Sequence, residues 1–204
     1  MDIAGSLLVG GVSFGRNLVG IITRPYETYR RIVDRGNVWE LIPIGLILAF
    51  YFSLSSLVKT AAFRPFLLTK QFILLSGGAA SGFLLTVAIL WGAAWLIGKK
   101  ARVALAWAYT LIPTVFWFLT TSILSIILPP PRTQSAAGVS FSMLFLIFSV
   151  TLLWWKVTLA YLTLRFGLKL DLGRIFAVFA VCVPVWGLWS YFMYKWGIFK
   201  VPFL

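Results

Sequence analysis

Residues 71–98, QFILLSGGAASGFLLTVAILWGAAWLIG, form a long hydrophobic stretch without a charged side chain. A helix needs about 20 apolar residues to cross roughly 30 Å of hydrocarbon, so this stretch is long enough. Its apolar residues do not alternate with polar ones, as they would in a strand of a membrane β-barrel. A helix also satisfies its own backbone polar groups inside lipid. Residues 71–98 therefore predict a transmembrane helix.

Further stretches of this kind lie on both sides of residues 71–98. They are Leu41–Val58, Val103–Pro131, Thr133–Trp155 and Ile175–Tyr194. The predicted fold class is an all-α integral membrane protein, a five-helix transmembrane bundle preceded by an amphipathic, interfacial N-terminal helix. We place the membrane helices at about residues 41–58, 71–98, 103–128, 141–164 and 175–194. They form a transmembrane domain at 41–195, after a cytosolic or interfacial segment at 1–40 and before a short tail at 196–204.

The N-terminal segment, residues 1–40, has the composition of a segment that contacts water. It carries four of the five acidic residues together with five arginines. Pro25 suits the first turn of a helix, because its missing N–H would have no partner there. The pattern from Pro25 to Arg35 has one face that includes Tyr26, Tyr29, Ile32 and Val33. This pattern predicts an amphipathic helix at the membrane interface.

The beginning of this segment, residues 1–22, is also apolar but lacks the features of a membrane span. Its run Ile3–Phe14 is too short to cross a bilayer, and Asp2 stands where a signal peptide carries a basic residue. Five glycines weaken any helix there. We therefore expect residues 1–22 to be interfacial or re-entrant, and neither a signal peptide nor a transmembrane helix.

The distribution of lysine and arginine predicts the orientation. With a cytoplasmic N-terminus, the segments 1–40, 99–102 and 165–174 hold eleven basic residues on the inner side, and six lie outside. Cytoplasmic loops of membrane proteins carry an excess of lysine and arginine. We therefore expect a multi-pass protein of the cell (inner) membrane, with its N-terminus in the cytoplasm and its C-terminus outside.

Composition also limits the classes of function. The net charge of +13 does not indicate nucleic-acid binding, because the basic residues are scattered at the ends of the hydrophobic stretches and form no single patch. The chain has no histidine, one cysteine (Cys182), and no Asp or Glu inside the five stretches. Carboxylate–histidine proton relays, Ser–His dyads and thiolate metal clusters are therefore excluded. We expect no enzymatic activity, no metal and no cofactor.

Basic and aromatic residues beside the predicted helices form a candidate surface for a partner or for anionic lipid. Groups of arginine and lysine next to a bilayer attract anionic headgroups. The alternative is an ordinary juxtamembrane helix with a solvated loop. The candidate residues are Arg24, Tyr26, Tyr29, Arg30, Arg31, Lys99, Lys100 and Arg102.

Three features lie within the predicted membrane helices. Lys156 is the one formal charge there, and it is either an intramembrane polar site for an anion or a lysine whose ammonium reaches the interface. Gly78 and Gly82 let a second helix pack closely, either within the molecule or between copies. Pro113 and Pro184 either kink their helices or free carbonyls for a substrate, as in transporters.

Three short stretches of the chain are similar to sequences of a known protein family. They are Arg24–Ile32 (RPYETYRRI), Tyr109–Val115 (YTLIPTV) and Trp154–Phe176. They resemble the Yip family, the Ypt/Rab-interacting protein domain, and in particular its small prokaryotic branch. The resemblance implies five membrane helices, a cytosolic N-terminus and no enzymatic activity. Eukaryotic members contact prenylated small GTPases. Here Asn37–Leu41 (NVWEL) stands where those members carry an Asp-Leu-Tyr-Gly-Pro-like stretch, so we do not expect GTPase binding.

These features together favour a non-enzymatic membrane scaffold or adaptor that organises other membrane components. The expected partners are membrane lipids, including anionic ones, and another membrane protein or a second copy of this chain. The alternative is a transporter or channel for a small or lipid-like solute. That alternative would use the proline-broken helices and Lys156.

Overall fold

The computed structural model describes residues 3–60, 65–96, 103–127 and 135–198. Within these ranges the chain is helical apart from turns, and it contains no β-strand. The helices are α1 (Ile3–Thr23), α2 (Pro25–Arg35), α3 (Leu41–Thr60), α4 (Pro65–Leu96), α5 (Val103–Tyr109), α6 (Ile112–Ile127), α7 (Ala136–Leu162) and α8 (Leu172–Lys195). A 3-10 turn, Val38–Glu40, precedes α3, and a wide π-type turn, Thr163–Gly167, follows α7. The predicted all-α fold is confirmed for the described part of the chain.

Five segments of the described chain are long and apolar enough to cross a membrane. They are Gly5–Thr23, Val38–Leu57, Pro65–Trp95, Gly138–Gly167 and Leu172–Lys195. The last four correspond to predicted membrane helices. The set differs from the predicted five, because α1 is included and the third predicted helix is not. The predicted helix ends at 98 and 128, and residues 199–204 of the predicted tail, lie outside the described ranges.

Helix α1 is longer than expected, because its glycines do not interrupt it. Two of these glycines lie where another part of the chain comes close. A Cβ added at Gly10 would lie 2.9 Å from the Cβ of Trp39, and one added at Gly20 would collide with Thr28. Close packing against α2 and the 3-10 turn therefore offsets the low helix propensity of glycine. The expectation that residues 1–22 are too short and too glycine-rich for a membrane helix is therefore wrong as to length, since Gly5–Thr23 is long and apolar enough to cross a membrane.

The third predicted helix, residues 103–128, is broken into α5 and α6. Between them, the N–H groups of Thr110 and Leu111 donate to carbonyls three residues back, at 2.9 and 3.2 Å. Pro113 accounts for the break, since it has no N–H to continue the α-helical hydrogen bonding from the preceding turn. Pro184, in contrast, stays inside the continuous helix α8.

Helix α2 begins at Pro25 and ends at Arg35, as the sequence predicts. Its buried residues are Thr28, Tyr29 and Ile32. This inner face packs against α1, α5 and the π-type turn. The apolar face of α2 is therefore covered by the protein itself, and α2 holds a fixed position at one end of the bundle.

The core lies around α5, whose residues are nearly all buried. Helices α2, α3 and α4 and the π-type turn pack against it. Elsewhere the long helices expose large apolar side chains, such as Phe50 on α3, Trp91 on α4, Leu146 on α7 and Phe176 on α8. An apolar surface of this extent is unfavourable in water and suits the hydrocarbon of a bilayer.

Candidate functional site

Tyr26 and Arg30 lie on the exposed side of α2, and Arg24, which directly precedes α2, is also exposed. Arg24 pairs with Glu27 at 3.9 Å, and Arg30 pairs with Asp34 at 4.0 Å. Both pairs are long and exposed, and such pairs contribute less than about 1 kcal/mol. These two arginines can therefore exchange their weak intrahelical partners for another anion.

Tyr29 and Arg31, which the sequence groups with this surface, face inward instead. Tyr29 is fully buried, and its hydroxyl donates to the Ala106 carbonyl of α5 at 3.3 Å. The Thr163 hydroxyl donates to the same carbonyl at 3.3 Å. Burial raises the pKa of the Tyr29 phenol above its ordinary value, and the hydrogen bond with Thr163 opposes this rise in part. Tyr29 is thus an internal contact, because the protein and not lipid covers this face of α2.

The segment between α7 and α8 lies beside α2 and adds basic residues to the exposed face. The ring of Tyr26 meets the ring of Phe166 edge-on, with 4.7 Å between centroids. Arg165 donates to the Leu170 carbonyl at 2.8 Å and pairs with Asp171 at 3.4 Å. We define the α2–loop surface as the exposed or half-exposed residues at α2, at the segment after α7 and in the first turn of α8: Arg24, Tyr26, Arg30, Arg165, Phe166, Lys169 and Arg174. Three other predicted surface residues lie outside the described ranges: Lys99, Lys100 and Arg102.

A buried polar cluster, which the sequence does not reveal, is centred on Glu40. Glu40 lies at the start of the candidate span Val38–Leu57, and its side chain has no exposed surface. The donors to its carboxylate are Ser13 Oγ at 2.6 Å, Asn17 Nδ2 at 2.8 Å, the Tyr109 hydroxyl at 2.5 Å and the Asn37 backbone N–H at 3.2 Å. Both carboxylate oxygens thus have two donors each, which a carboxylate requires when water is absent.

The Glu40 cluster connects distant parts of the chain. Ser13 and Asn17 belong to α1, and Tyr109 is the last residue of α5, next to the helix break. Arg31 of α2 donates through Nε and one Nη to the Asn17 side-chain oxygen, at 3.2 and 2.9 Å. The cluster therefore fixes α1, α2 and α5 relative to the start of α3. An enclosed carboxylate of this kind holds structural elements in place and reaches no open site.

Asn37 and Glu40 also form a local motif that can be recognised in the sequence. The Asn37 side chain accepts from the Trp39 N–H at 3.2 Å, while Glu40 accepts from the Asn37 N–H, so the two residues form a capping box. An Asn followed three residues later by Glu is a sequence signal for a helix start. It predicts the beginning of α3. It does not predict that α1 folds over the carboxylate.

Lys156 lies on α7 and is half-buried. Its ammonium donates to the Thr114 hydroxyl of α6 at 3.0 Å. Thr114 directly follows Pro113, just beyond the break between α5 and α6. The structure therefore brings together two of the predicted intramembrane features, the lysine and the broken helix.

Gly82 lies against α8. A Cβ added at this glycine would lie 2.8 Å from the ring of Trp189, whose indole N–H donates to Ser81 at 3.1 Å. Gly78 is buried on the same helix. The glycine pair is predicted to pack against a helix either of the same molecule or of another copy. The contact of Gly82 with α8 agrees with packing within the molecule.

The described ranges contain no cluster of metal-binding side chains, and two cavities between the helices are small. No group of three or more His, Cys, Asp or Glu side chains comes together there to hold a metal ion. Two small apolar cavities have volumes of about 10 Å³, between α1, α3 and α6, and about 110 Å³, between α6 and α7. Typical solute pockets hold roughly 300–1,000 Å³. In comparisons with known proteins, no family model, no curated protein and no solved structure matches this chain.

Proposed function

We propose that this protein is a non-enzymatic, multi-pass membrane scaffold or adaptor, which organises other membrane components through the α2–loop surface. The observation that supports this is the group of exposed arginines around Tyr26 and Phe166, where α2 meets the π-type turn. Basic side chains beside a bilayer attract anionic headgroups by about 1 kcal/mol each. The same charges suit an acidic segment of a neighbouring membrane protein.

The inward-facing residues of α2 support this role indirectly. Tyr29 is bonded to α5, and Arg31 is bonded to Asn17 of α1, so α2 is held on two sides. A helix that is already fixed loses little conformational entropy when its exposed side chains bind a partner. Tyr29 and Arg31 thus position the surface, while Arg24 and Arg30 contact the anion.

The proposed location is the inner membrane, with the α2–loop surface on the cytoplasmic side. Both segments that form this surface are rich in arginine and lysine, and such segments remain in the cytoplasm. The cytoplasmic leaflet also carries anionic lipid, so the surface and its ligand lie on the same side. In this orientation α8 crosses from the cytoplasm, and the C-terminus lies outside.

Flotation of the purified protein tests the proposal. The protein is placed in zwitterionic nanodiscs and mixed with phosphatidylcholine vesicles that contain or lack phosphatidylglycerol. The variant Arg24→Gln/Arg30→Gln should bind the anionic vesicles about 30-fold more weakly, because two arginines contribute about 1 kcal/mol each and 1.4 kcal/mol is a factor of ten. Binding by the unchanged protein should also fall in 1 M salt, where the Debye length is only about 3 Å.

A matched control removes two charges from other exposed positions. Lys70 lies near the start of α4 and Lys195 at the end of α8. The variant Lys70→Gln/Lys195→Gln has the same net charge as the arginine variant and should bind as tightly as the unchanged protein. If the two variants lose binding equally, net charge and not the α2–loop surface is responsible, and the proposal is wrong.

A transporter or channel is the second candidate, and the break between α5 and α6 favours it. Broken helices line the substrate sites of many transporters. The exposed arginines of the α2–loop surface favour the scaffold instead. The transporter would become the leading proposal if expression of the protein collapsed a solute gradient and the Arg24→Gln/Arg30→Gln variant bound vesicles as tightly as the unchanged protein.

Membership of the Yip family stays a prediction that rests on three short stretches. Two of these stretches include the end of a helix: Pro25 is the first residue of α2, and Thr110 is the first residue of the break between α5 and α6. We retain the family as the proposed source of a non-enzymatic role. GTPase binding is not part of the proposal.

A further inference from the structure

Lys156 has no protein counter-charge within the described residues. Its ammonium donates to the uncharged hydroxyl of Thr114 at 3.0 Å. Three of the four described acids pair with arginines: Glu27 with Arg24, Asp34 with Arg30, and Asp171 with Arg165. Glu40 is surrounded by its own donors, and Asp2, the remaining acid of the five, lies outside the described ranges.

The side chain of Lys156 is directed across to α6. A lysine that only reaches for the interface extends along its own helix toward the nearest boundary. Here the hydrogen bond to Thr114 holds the ammonium between α6 and α7. A charge at membrane depth is costly unless it is paired. An anion that enters from the bilayer would supply the missing partner.

The seam between α6 and α7 continues from Lys156 into an apolar cleft. Ser149, two helical turns from Lys156 and about 10 Å away on the same face of α7, accepts from the Trp117 indole at 2.8 Å. Beyond it lies the cleft of about 110 Å³, lined by Thr120, Phe141, Leu144, Phe145 and Phe148. This cleft is somewhat smaller than the cavity of about 150 Å³ that can hold benzene, so it has room for a short length of hydrocarbon only.

We propose that the α6–α7 seam binds a membrane amphiphile with an oxyanion headgroup, a carboxylate or phosphate, at Lys156 and its acyl chain toward the Phe-lined cleft. The positive charge matches the headgroup, and the apolar cleft matches the chain. A ligand of this kind satisfies both features at once, whereas a zwitterionic lipid brings a second cation close to Lys156. The site is separate from the α2–loop surface and does not depend on the scaffold proposal.

Lipid retention in detergent tests this site. Delipidated protein is titrated with oleate, dioleoyl-phosphatidylglycerol and dioleoyl-phosphatidylcholine, and bound lipid is counted by native mass spectrometry. The protein is first equilibrated in about 1 M salt, which screens the exposed α2–loop surface more than a half-buried lysine. We expect Lys156→Met to weaken the binding of the anionic amphiphiles at least tenfold and Lys156→Arg to retain it. Lys70→Met removes an equal charge at an exposed position and should have no effect.

A second variant leaves the charge in place. Leu144→Trp adds bulk at the cleft while Lys156 and Thr114 are untouched, and it should also weaken anionic binding. Preference for phosphatidylglycerol over oleate, or the reverse, identifies a phospholipid or a fatty acid as the ligand. Equal affinity for phosphatidylcholine and phosphatidylglycerol would overturn the proposal. So would unchanged anionic binding in folded Lys156→Met or, should that variant fail to fold, in Leu144→Trp.

Discussion

The carboxylate of Glu40 is held by donors from α1, from the turn before α3 and from the end of α5. Most of these donors, such as the Asn17 amide and the Tyr109 hydroxyl, are themselves buried or half-buried. Removing the acceptor would leave the buried Asn17 amide and Tyr109 hydroxyl without this partner. A buried donor without a partner costs about 1–3 kcal/mol. The stability of the N-terminal half of the fold should therefore depend strongly on this one side chain.

The variant Glu40→Ala should lower the free energy of unfolding by about 3 kcal/mol, because the buried Asn17 and Tyr109 donors each lose a partner at a cost of about 1–3 kcal/mol. Glu27→Ala serves as the control, because Glu27 makes one exposed pair at 3.9 Å and should contribute less than about 1 kcal/mol. Unfolding by sodium dodecyl sulfate in mixed micelles measures both. Equal stabilities of the two variants would mean that the Glu40 cluster does not anchor the fold.

At the level of single elements, local signals predict α2 well and α1 poorly. Pro25 and the amphipathic pattern define α2, because both act within the helix itself. The continuity of α1 depends on close contacts of Gly10 and Gly20 with residues elsewhere in the chain, which no local pattern contains. The break before α6 lies between these cases. Pro113 signals a disturbance, but the sequence does not distinguish a kink from a complete break.

The contact between Gly82 of α4 and Trp189 of α8 predicts that α4 does not tolerate a larger side chain at this position. Gly82→Ala should destabilise the protein by about 1–3 kcal/mol, because its Cβ displaces the Trp189 ring in a packed interface. Gly77→Ala on the same helix meets no atom within 4 Å and should be neutral or slightly stabilising, since alanine favours helix by about 1 kcal/mol. Thermal unfolding in detergent compares them. A Gly82→Ala variant as stable as Gly77→Ala would show that the helices do not pack here.

At the scale of the whole molecule, α2 packs against the π-type turn that follows α7, and both segments carry exposed arginines. Arg24, Tyr26 and Arg30 of the predicted surface lie there, whereas Tyr29 and Arg31 turn inward. An amphipathic pattern identifies which side of a helix is apolar, but not whether lipid or protein covers it. The sequence therefore predicts that the α2–loop surface is positively charged. It does not predict the hydrogen bonds of Tyr29 and Arg31 that hold α2 in place.

The side of the membrane on which the α2–loop surface lies is the most direct test of the proposed adaptor. In a Cys182→Ala background, single cysteines are placed at the exposed positions Arg30, Arg174 and Ala136 and treated with a membrane-impermeant maleimide. Arg30→Cys and Arg174→Cys should react only after the cells are permeabilised, because their segments are the basic, cytoplasmic ones. Ala136→Cys, at the start of α7, should react in intact cells. Labelling of Arg30→Cys in intact cells would place the surface outside and contradict the account.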